Sequence, residues 1–304
     1  MKGDRPRIVV VGSMVMDLVF RVGRRPGPGE TAAGNEFGMF LGGKGFNQAI
    51  AARRLGAEVT ICGRVGPDQF GDMFLAKLQS EGIKAFVTRD DAGTGVASPV
   101  VEATGENSII GVPRANGRVA PEDVDRAAEA IAAADVLMLQ FEIPEDTSRH
   151  AARIAGRSGT LVVLDPAPVQ RGAERFGVPI DYIVPNEVEA HILTGRLIPE
   201  EQAAVLLPET RRGVVISLGA HGAFAVDRAA MNYYEAYKVE VVDSTGAGDA
   251  FRAGLAVRLA EGATFNEAVL FANACGALAC TILGAEPSMP GRAAVEKLMA
   301  QRGT

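Results

Sequence analysis

The sequence predicts an α/β fold in which a central, mostly parallel sheet is flanked by helices and accompanied by a small second sheet. Three observations carry that expectation. Short apolar runs recur between helix-length amphipathic segments, the rhythm of βα units. Two regions, 17–40 and 93–112, break the rhythm with strand-like pieces separated by Gly and Pro. The 304 residues are 47% hydrophobic and 22% charged, which excludes disordered, collagen-like and coiled-coil readings.

Strands of the main sheet are expected near 7–12, 58–63, 135–140, 160–164, 181–184 and 213–218, each apolar or β-branched and bounded by Gly, Pro or Asp. Helices are expected near 44–55, 69–81, 121–132, 145–157, 187–194, 249–261, 265–283 and 291–301. Pro121-Glu122-Asp123 suits a first helical turn, and Gly82 closes the helix ending at Glu81. Within the irregular regions, Leu18 to Val22, Thr94 to Val101 and Ser108 to Val112 have strand character. They form either a small antiparallel sheet that covers a substrate cleft or ordinary surface hairpins. The whole chain, 1–304, reads as one domain, and no solenoid or propeller repeat is present.

Charge narrows the function. Thirty-one Lys and Arg against 37 Asp and Glu give a net charge of −6, which favours solubility and argues against sequence-independent nucleic-acid binding. Three cysteines and three scattered histidines match neither a disulfide framework nor a zinc pattern, so the thiols are expected to be reduced and buried. The polar stretch Met1 to Arg7 leads straight into Ile8-Val9-Val10-Val11. With no signal-like segment and no run near ~18 apolar residues, no membrane association is expected and the cytoplasm is the expected location.

The strongest local signal is Asp243-Ser244-Thr245-Gly246-Ala247-Gly248-Asp249, opening a long apolar helix. Small residues at a helix start leave backbone N–H groups open to an anion. Asp249 is then either a cap or the group that orients and deprotonates a hydroxyl attacking a bound phosphate. A second signal, Gly42-Gly43-Lys44-Gly45-Phe46-Asn47-Gln48, opens an amphipathic helix. It lacks the spacing of a Walker A loop or a Rossmann fingerprint, and offers close backbone approach, a cation and an amide, groups suited to a hydroxyl-rich ligand. Asp17 and Glu142 each follow an apolar strand, where open α/β sheets place ligands.

Together these two motifs resemble the signatures of the ribokinase-like (PfkB) family of sugar and nucleoside kinases. The first runs from Gly42 through Asn47 to Gly56 and Gly66, the second from Asp243 through Ala253-Gly254. Gly12-Ser13, Pro28-Gly29-Glu30-Thr31, Gln140-Phe141-Glu142, Asp165-Pro166-Ala167-Pro168, Pro185-Asn186-Glu187 and Gly284-Ala285-Glu286-Pro287-Ser288 extend the likeness along the chain. Among family members, bacterial ribokinases are the most similar. The resemblance implies a three-layer ribokinase-like fold whose lid strands come from about 17–40 and 93–112. It implies an ATP-dependent kinase acting on a primary hydroxyl of a small sugar, with ribose giving ribose 5-phosphate. A nucleoside kinase or another sugar kinase of the family, and a non-catalytic sugar-binding protein, are the alternatives.

By the same resemblance Asp249 is the catalytic base, with Gly246, Ala247 and Gly248 as the anion hole. Asp17, Gly43, Lys44, Asn47, Glu142 and Asp249 hold the sugar. Asn186 and Glu189 order Mg2+, water and phosphates; Ser217, Gly219 and Gly248 face ATP. Asn273 either borders the adenine or packs within its Ala-rich helix. Asp243, Thr245, Ala279, Ile282, Gly284 and Ser288 form a loop pair that binds a monovalent cation, K+, largely through carbonyl oxygens. A homodimer joined through the lid is implied as well. Val15 departs from the family, because ribokinases usually place an Asn there against the sugar. Arg252, one turn into the motif helix, is read either as an ion-pair partner or as a contact to an anionic substrate.

Overall fold

The computed structural model describes residues 5–102, 104, 107–169 and 176–301. Ala103, Gly105 and Glu106 of the second irregular region, and Met1 to Asp4 of the polar N-terminal stretch, lie outside the described residues. In chain order the strands are β1 (Arg7–Val11), β2 (Val15–Val22), β3 (Gly34–Gly42), β4 (Glu58–Val65), β5 (Lys84–Arg89), β6 (Gly95–Glu102) and β7 (Asn107–Val112). They continue with β8 (Val136–Leu139), β9 (Leu161–Leu164), β10 (Tyr182–Ile183), β11 (Gly213–Ser217), β12 (Ala223–Asp227) and β13 (Met231–Tyr234). Among the described residues, nine strands form the main sheet in the order β13-β12-β11-β10-β9-β8-β1-β4-β5. All its pairs are parallel except β11–β12 and β12–β13.

Alternation along the central strand builds the two cores. Ile8 and Val10 of β1 face one hydrophobic cluster, shared with the helices Lys44–Arg54, Ala247–Ala260 and Phe265–Ala279. Val9 and Val11 face the other, shared with Pro121–Arg126, Glu145–Ser158, Glu187–Thr194 and Pro199–Leu206. A strand buried on both sides must be apolar at every buried position, as β8 is throughout and β1 is from Ile8 onward. The helix after β3 packs on one face and the helix after β8 on the other. The chain therefore opens a crevice beyond the carboxyl ends of β1 and β8, as doubly wound sheets do at a switch in winding direction.

The second sheet has the order β3-β2-β6-β7. It is mixed, not antiparallel: β2–β3 and β6–β7 are antiparallel, but β2 and β6 run parallel. The reason is topological. Between them the chain returns through β4 and β5 of the main sheet, so β2 and β6 both leave the core from the same edge.

Other differences have local causes. The helix expected at 121–132 is broken at Ala127 into Pro121–Arg126 and Ala128–Ala133. The helix expected to reach 283 ends at Ala279, where Thr281 folds back through Oγ1 onto the carbonyl of Leu278. Strands β3, β5, β12 and β13 and the helices Pro199–Leu206 and Ala285–Ser288 are additional to the expectation. Cys62 and Cys275 are buried free thiols, while Cys280 is half-buried. No helix among the described residues is long and apolar enough to cross a membrane.

Candidate active site

The segments after β1, β3, β8 and β9 and the start of the helix Ala247–Ala260 converge on the crevice. Asp249 lies in the first turn of that helix, which is buried along nearly its whole length between the sheet and the helix Phe265–Ala279. Its carboxylate accepts from Asn47 Nδ2 at 2.9 Å and from Gln48 Nε2 at 3.1 Å. Burial pushes its pKa up to about 6; Lys44 pulls it down, Asp165 pushes it up, and the Asn47 hydrogen bond pulls it down. A cap of its own helix would stand outside the first turn. Gly246, left-handed at φ 81°, holds the cap position instead, so the simple capping alternative for Asp249 falls away.

Glu142, just beyond β8, accepts from Ser13 Oγ and from the amide of Lys44 at 2.9 Å. Asp17 lies within β2 of the small sheet rather than in a loop after β1, and faces the same cleft. Burial raises its pKa to about 7, helped by the charges of Glu142 and Asp249. Space for this carboxylate depends on Gly42, where a β-carbon would sit 2.3 Å from Asp17 Oδ2. Gly43, at φ 89°, starts the next helix with a backbone that L side chains rarely adopt. Lys44 Nζ pairs with Asp165 at 3.1 Å. Burial alone would lower the Lys44 pKa, but Asp165, Asp249 and Glu142 outweigh it and hold the ammonium charged.

Two residues that sequence reasoning did not place in the site hold it together. Asp165, beyond β9, accepts from Lys44, from Gln48 Nε2 at 3.1 Å and from Arg252 Nη2 at 3.1 Å. Gln48 bridges Asp165 and Asp249, and its Oε1 accepts from Gln140 Nε2 at 2.6 Å. An acid at a strand's carboxyl end is the signal that singled out Glu142, and it applies equally to Asp165. Asn47 Oδ1 is buried with no partner among the described residues, an acceptor available to a hydroxyl in the cleft.

A second group surrounds the helix Glu187–Thr194. Asn186 and Glu189 form a reciprocal capping box, Asn186 Oδ1 accepting from Glu189 N at 2.8 Å and Glu189 Oε2 from Asn186 N at 2.7 Å. Glu189 is no solvated acid, because Arg252 Nη2 also reaches its Oε2 at 3.1 Å. Arg252 is thus an ion-pair partner of both Asp165 and Glu189. Ser217 ends β11 and bridges to Asn186, with Gly219 just beyond it. Asn273 spends its amide protons on the carbonyls of Tyr234 and Glu235, at 3.3 and 3.2 Å, fixing the end of β13.

The third group is a loop pair. Asp243 accepts from Thr245 N at 3.0 Å, Thr245 Oγ1 at 2.7 Å and, across the gap, Gly284 N at 2.9 Å. Burial would raise its pKa, but these donors outweigh it and hold it below the usual range. Val242 N bonds to Cys280 O at 2.8 Å, beside Ala279. Ser288 Oγ turns back to Ala285 O, and Ile282 is exposed. A cavity of about 480 Å3 separates this loop pair from the small sheet, lined by Asp17, Val19, Phe40, Asp243, Thr245 and Gly284 among others.

At the helix start, Ala247 N is engaged by Ser244 O at 3.2 Å, so that donor is folded into a turn. The amides of Gly248 and Asp249 remain as the first-turn donors aimed out of the helix. Carboxylates stand on one side of the cleft and helix-start amides on the other, a pairing whose chemistry suits hydroxyls beside an anion.

The family profile of pfkB carbohydrate kinases matches residues 5–292. The chain belongs to that family. It is therefore a phosphotransferase that acts on a sugar hydroxyl. Ribokinase of Bacillus subtilis is 37% identical over 301 residues, covering 96% of this chain and 99% of its own. Deoxyribokinase of Salmonella typhi is 34% identical, covering 93% and 95%. The solved structure of Arabidopsis thaliana ribokinase complexed with ribose and ATP has a TM-score of 0.84 at 30% identity, covering 97% of this chain and 99% of that one.

The raised pKa of Asp17 has a stability consequence with a definite sign. A carboxyl that titrates near 7 when folded and near the ordinary aspartate value of 3.8 when unfolded binds its proton more tightly in the native state. Stability is then lost as pH rises from about 4 through 7. Asp17→Asn is expected to raise Tm by a few degrees at pH 8, and by progressively less toward pH 4, in thermal unfolding of the ligand-free protein. An equal or lower Tm at pH 8 would contradict the assigned environment.

Proposed function

We propose that this kinase transfers the γ-phosphoryl group of ATP to the primary hydroxyl of ribose, giving ribose 5-phosphate and ADP. The observation that supports it best is the buried carboxylate of Asp249, placed between the helix-start amides and a pocket of acceptor groups. Asp17, Glu142 and the unpartnered Asn47 Oδ1 are acceptors that ask for O–H donors, which a pentose supplies at several positions. The names of the ribokinase relatives, and the ribose and ATP in the Arabidopsis structure, support the same reading.

In the proposed step the hydroxyl oxygen bonds to the γ-phosphorus as the bridging bond to ADP breaks. The bonding pair leaves with ADP, and the hydroxyl proton passes to Asp249. An acid with a pKa near 6 is ionised at neutral pH and accepts a proton late in a loose transition state. Gly246, Ala247 and Gly248 shape the anion hole, with the Gly248 and Asp249 amides as its donors. Gly43, Lys44 and Asn47 complete the sugar contacts.

Asn186 and Glu189 fit a hydrated Mg2+ carried by the nucleotide. Both contacts to the Glu189 carboxylate use Oε2, which leaves Oε1 for an ordered water. Bound there, Mg2+ would neutralise phosphate charge. Ser217 and Gly219 would border the nucleotide. Asn273 would act at one remove, by fixing the backbone beside the adenine. K+ would be held by backbone carbonyls of the loop pair, because both Asp243 oxygens are spent on backbone and hydroxyl donors. Its role would be to order the loops at the helix start. The small sheet would serve as the lid over the sugar.

The outer face of the small sheet supports a homodimer. Phe20, Phe37, Met39, Ile110 and Val112 are exposed on the residues that alternate with the cleft-facing ones, and Phe20 and Phe37 lie 5.1 Å apart. Pairing two such faces would bury them and the sheet edges. Replacing Phe37 with Asp should convert the dimer to monomer in sedimentation analysis; a wild-type chain that sediments as a monomer overturns this part of the reading.

The central test is a panel of ribose, 2-deoxyribose, fructose, adenosine and cytidine with ATP. Saturable turnover of ribose is expected, and turnover of a nucleoside with none of any free sugar would overturn the substrate assignment. Asp249→Asn should lower kcat about 10²–10⁴-fold while leaving ribose affinity within roughly tenfold. Such a loss also separates a kinase from a non-catalytic sugar binder.

One observation favours a second reading. Val15 lies on the same face of β2 as Asp17 and cannot bond a hydroxyl. A pentose lacking one hydroxyl, 2-deoxyribose, then loses nothing at that position, and the deoxyribokinase relative supports it. Val15→Asn is expected to raise the ribose to 2-deoxyribose ratio of kcat/KM by about tenfold or more; an unchanged ratio would remove Val15 from substrate choice.

A further inference from the structure

Arg252 is 3% exposed, deep in the first turns of the helix that carries Asp249. Its guanidinium is fixed by two of its three nitrogens. Nε donates to the carbonyl of Val184 at 2.8 Å, and Nη2 reaches Asp165 and Glu189 at 3.1 Å each. Neither ion pair uses Nη1, which lies directly against the helix start. A β-carbon on Gly248 would sit 2.5 Å from it. Gly248 is therefore required by more than an open approach to phosphate, because any side chain there would displace the guanidinium. The amide of Gly248 is also one of the two donors left for the anion.

We propose that Arg252 is a further catalytic group of this kinase, its Nη1 edge placing fixed positive charge beside the phosphoryl group in flight. The inference rests on the kinase reading above and adds a residue to it. A planar guanidinium suits the task, since one edge can be anchored to carboxylates while the other faces the equatorial oxygens of the transferred group. Charge held in place before the reaction costs no reorganisation when negative charge shifts toward the leaving oxygen. The anchors account for the choice of Asp165 and Glu189: they orient the arginine, and Glu189 also faces the site assigned to the hydrated metal ion. The alternative is that Arg252 only neutralises the two acids.

Four chains separate these roles: wild type, Arg252→Gln, Asp165→Asn, and the double variant with both changes. Arg252→Gln should lower kcat about 10²-fold or more, with the KM for ribose within threefold of wild type, and Arg252→Lys should recover part of the loss. The deciding comparison is the double variant against Asp165→Asn alone, where one of the neutralised charges is already gone. A similar loss there supports the proposal; a loss under threefold overturns it. The double variant also serves if Arg252→Gln alone fails to fold with two acids unpaired. A second readout does not depend on turnover. Calorimetric affinity for ADP should tighten on adding aluminium fluoride, a mimic of the phosphoryl group in flight, in wild type and Asp165→Asn but not in the glutamine variants. Equal tightening in all four chains overturns the proposal. Wild-type failure on every sugar and nucleoside of the panel would instead count against the kinase reading, and the fluoride arm keeps the two failures apart.

Discussion

The site depends on how the charge of a cluster of acids is balanced. Asp17, Glu142, Asp165, Glu189 and Asp249 gather around the crevice, and Lys44 and Arg252 are the cations that reach into them. Leaving a buried carboxylate unpaired costs several kcal/mol, and breaking one partner of a buried pair costs about 3–5. The chain divides its acids accordingly. Asp165 and Glu189 are compensated by the two cations and act as scaffold. Burial outweighs Lys44 and the amides at Asp249, Asp17 meets burial and the charges of Glu142 and Asp249, and both pKa values rise. The acids proposed to meet the substrate are the ones left undercompensated, the division expected where stability is given up for chemistry.

The fold makes that division possible by drawing the two kinds of acid from different layers. Scaffold acids stand at the carboxyl ends of main-sheet strands, where parallel neighbours fix them: Asp165 after β9, Glu189 through the cap that follows β10. Asp17 belongs to the small sheet, and its distance from Glu142 and Asp249 is set by how the two sheets meet. That meeting is pinned where β3 runs into the helix Lys44–Arg54 through Gly42 and Gly43. Bare backbone there lets Asp17 approach while Lys44 and Asn47 enter the cleft from the first helical turn. Gln48, one residue further, ties both acid classes together by bonding Asp165 and Asp249 with one amide nitrogen.

Much of this was legible in the sequence because it lies in local signals. Helix starts rich in small residues, acids after apolar runs and the glycines before Lys44 all report on nearby backbone. What escaped depends on contacts distant in the chain. Gln48 follows Asn47 in the same motif, yet its value comes from Asp249, 201 residues away. Asn273 reads as a polar interruption of an apolar helix, and only the fold shows its amide holding the carbonyls of Tyr234 and Glu235. Strands β5 and β13 carry Lys84, Arg89 and exposed Met231 to Tyr233, because edge strands are wetted and lose the apolar continuity of β1. The parallel pairing of β2 with β6 had no local signal at all.

In the proposed dimer, alternation on the small sheet would join substrate capture to assembly. Asp17 and Val19 face the cleft, while on the other side of the strand Leu18 packs against the main core and Phe20 is exposed. A slip of one residue would exchange the two faces and bring apolar groups into the cleft. Register is held by the three-strand pairing of β2 with β3 and β6, and the irregularity between Arg21 and Val22 is confined to its far end, away from Asp17. The same pairing that sets Asp17 over the crevice also aligns Phe20 beside Phe37, so any contact that orders the outer face also stiffens the acid's support.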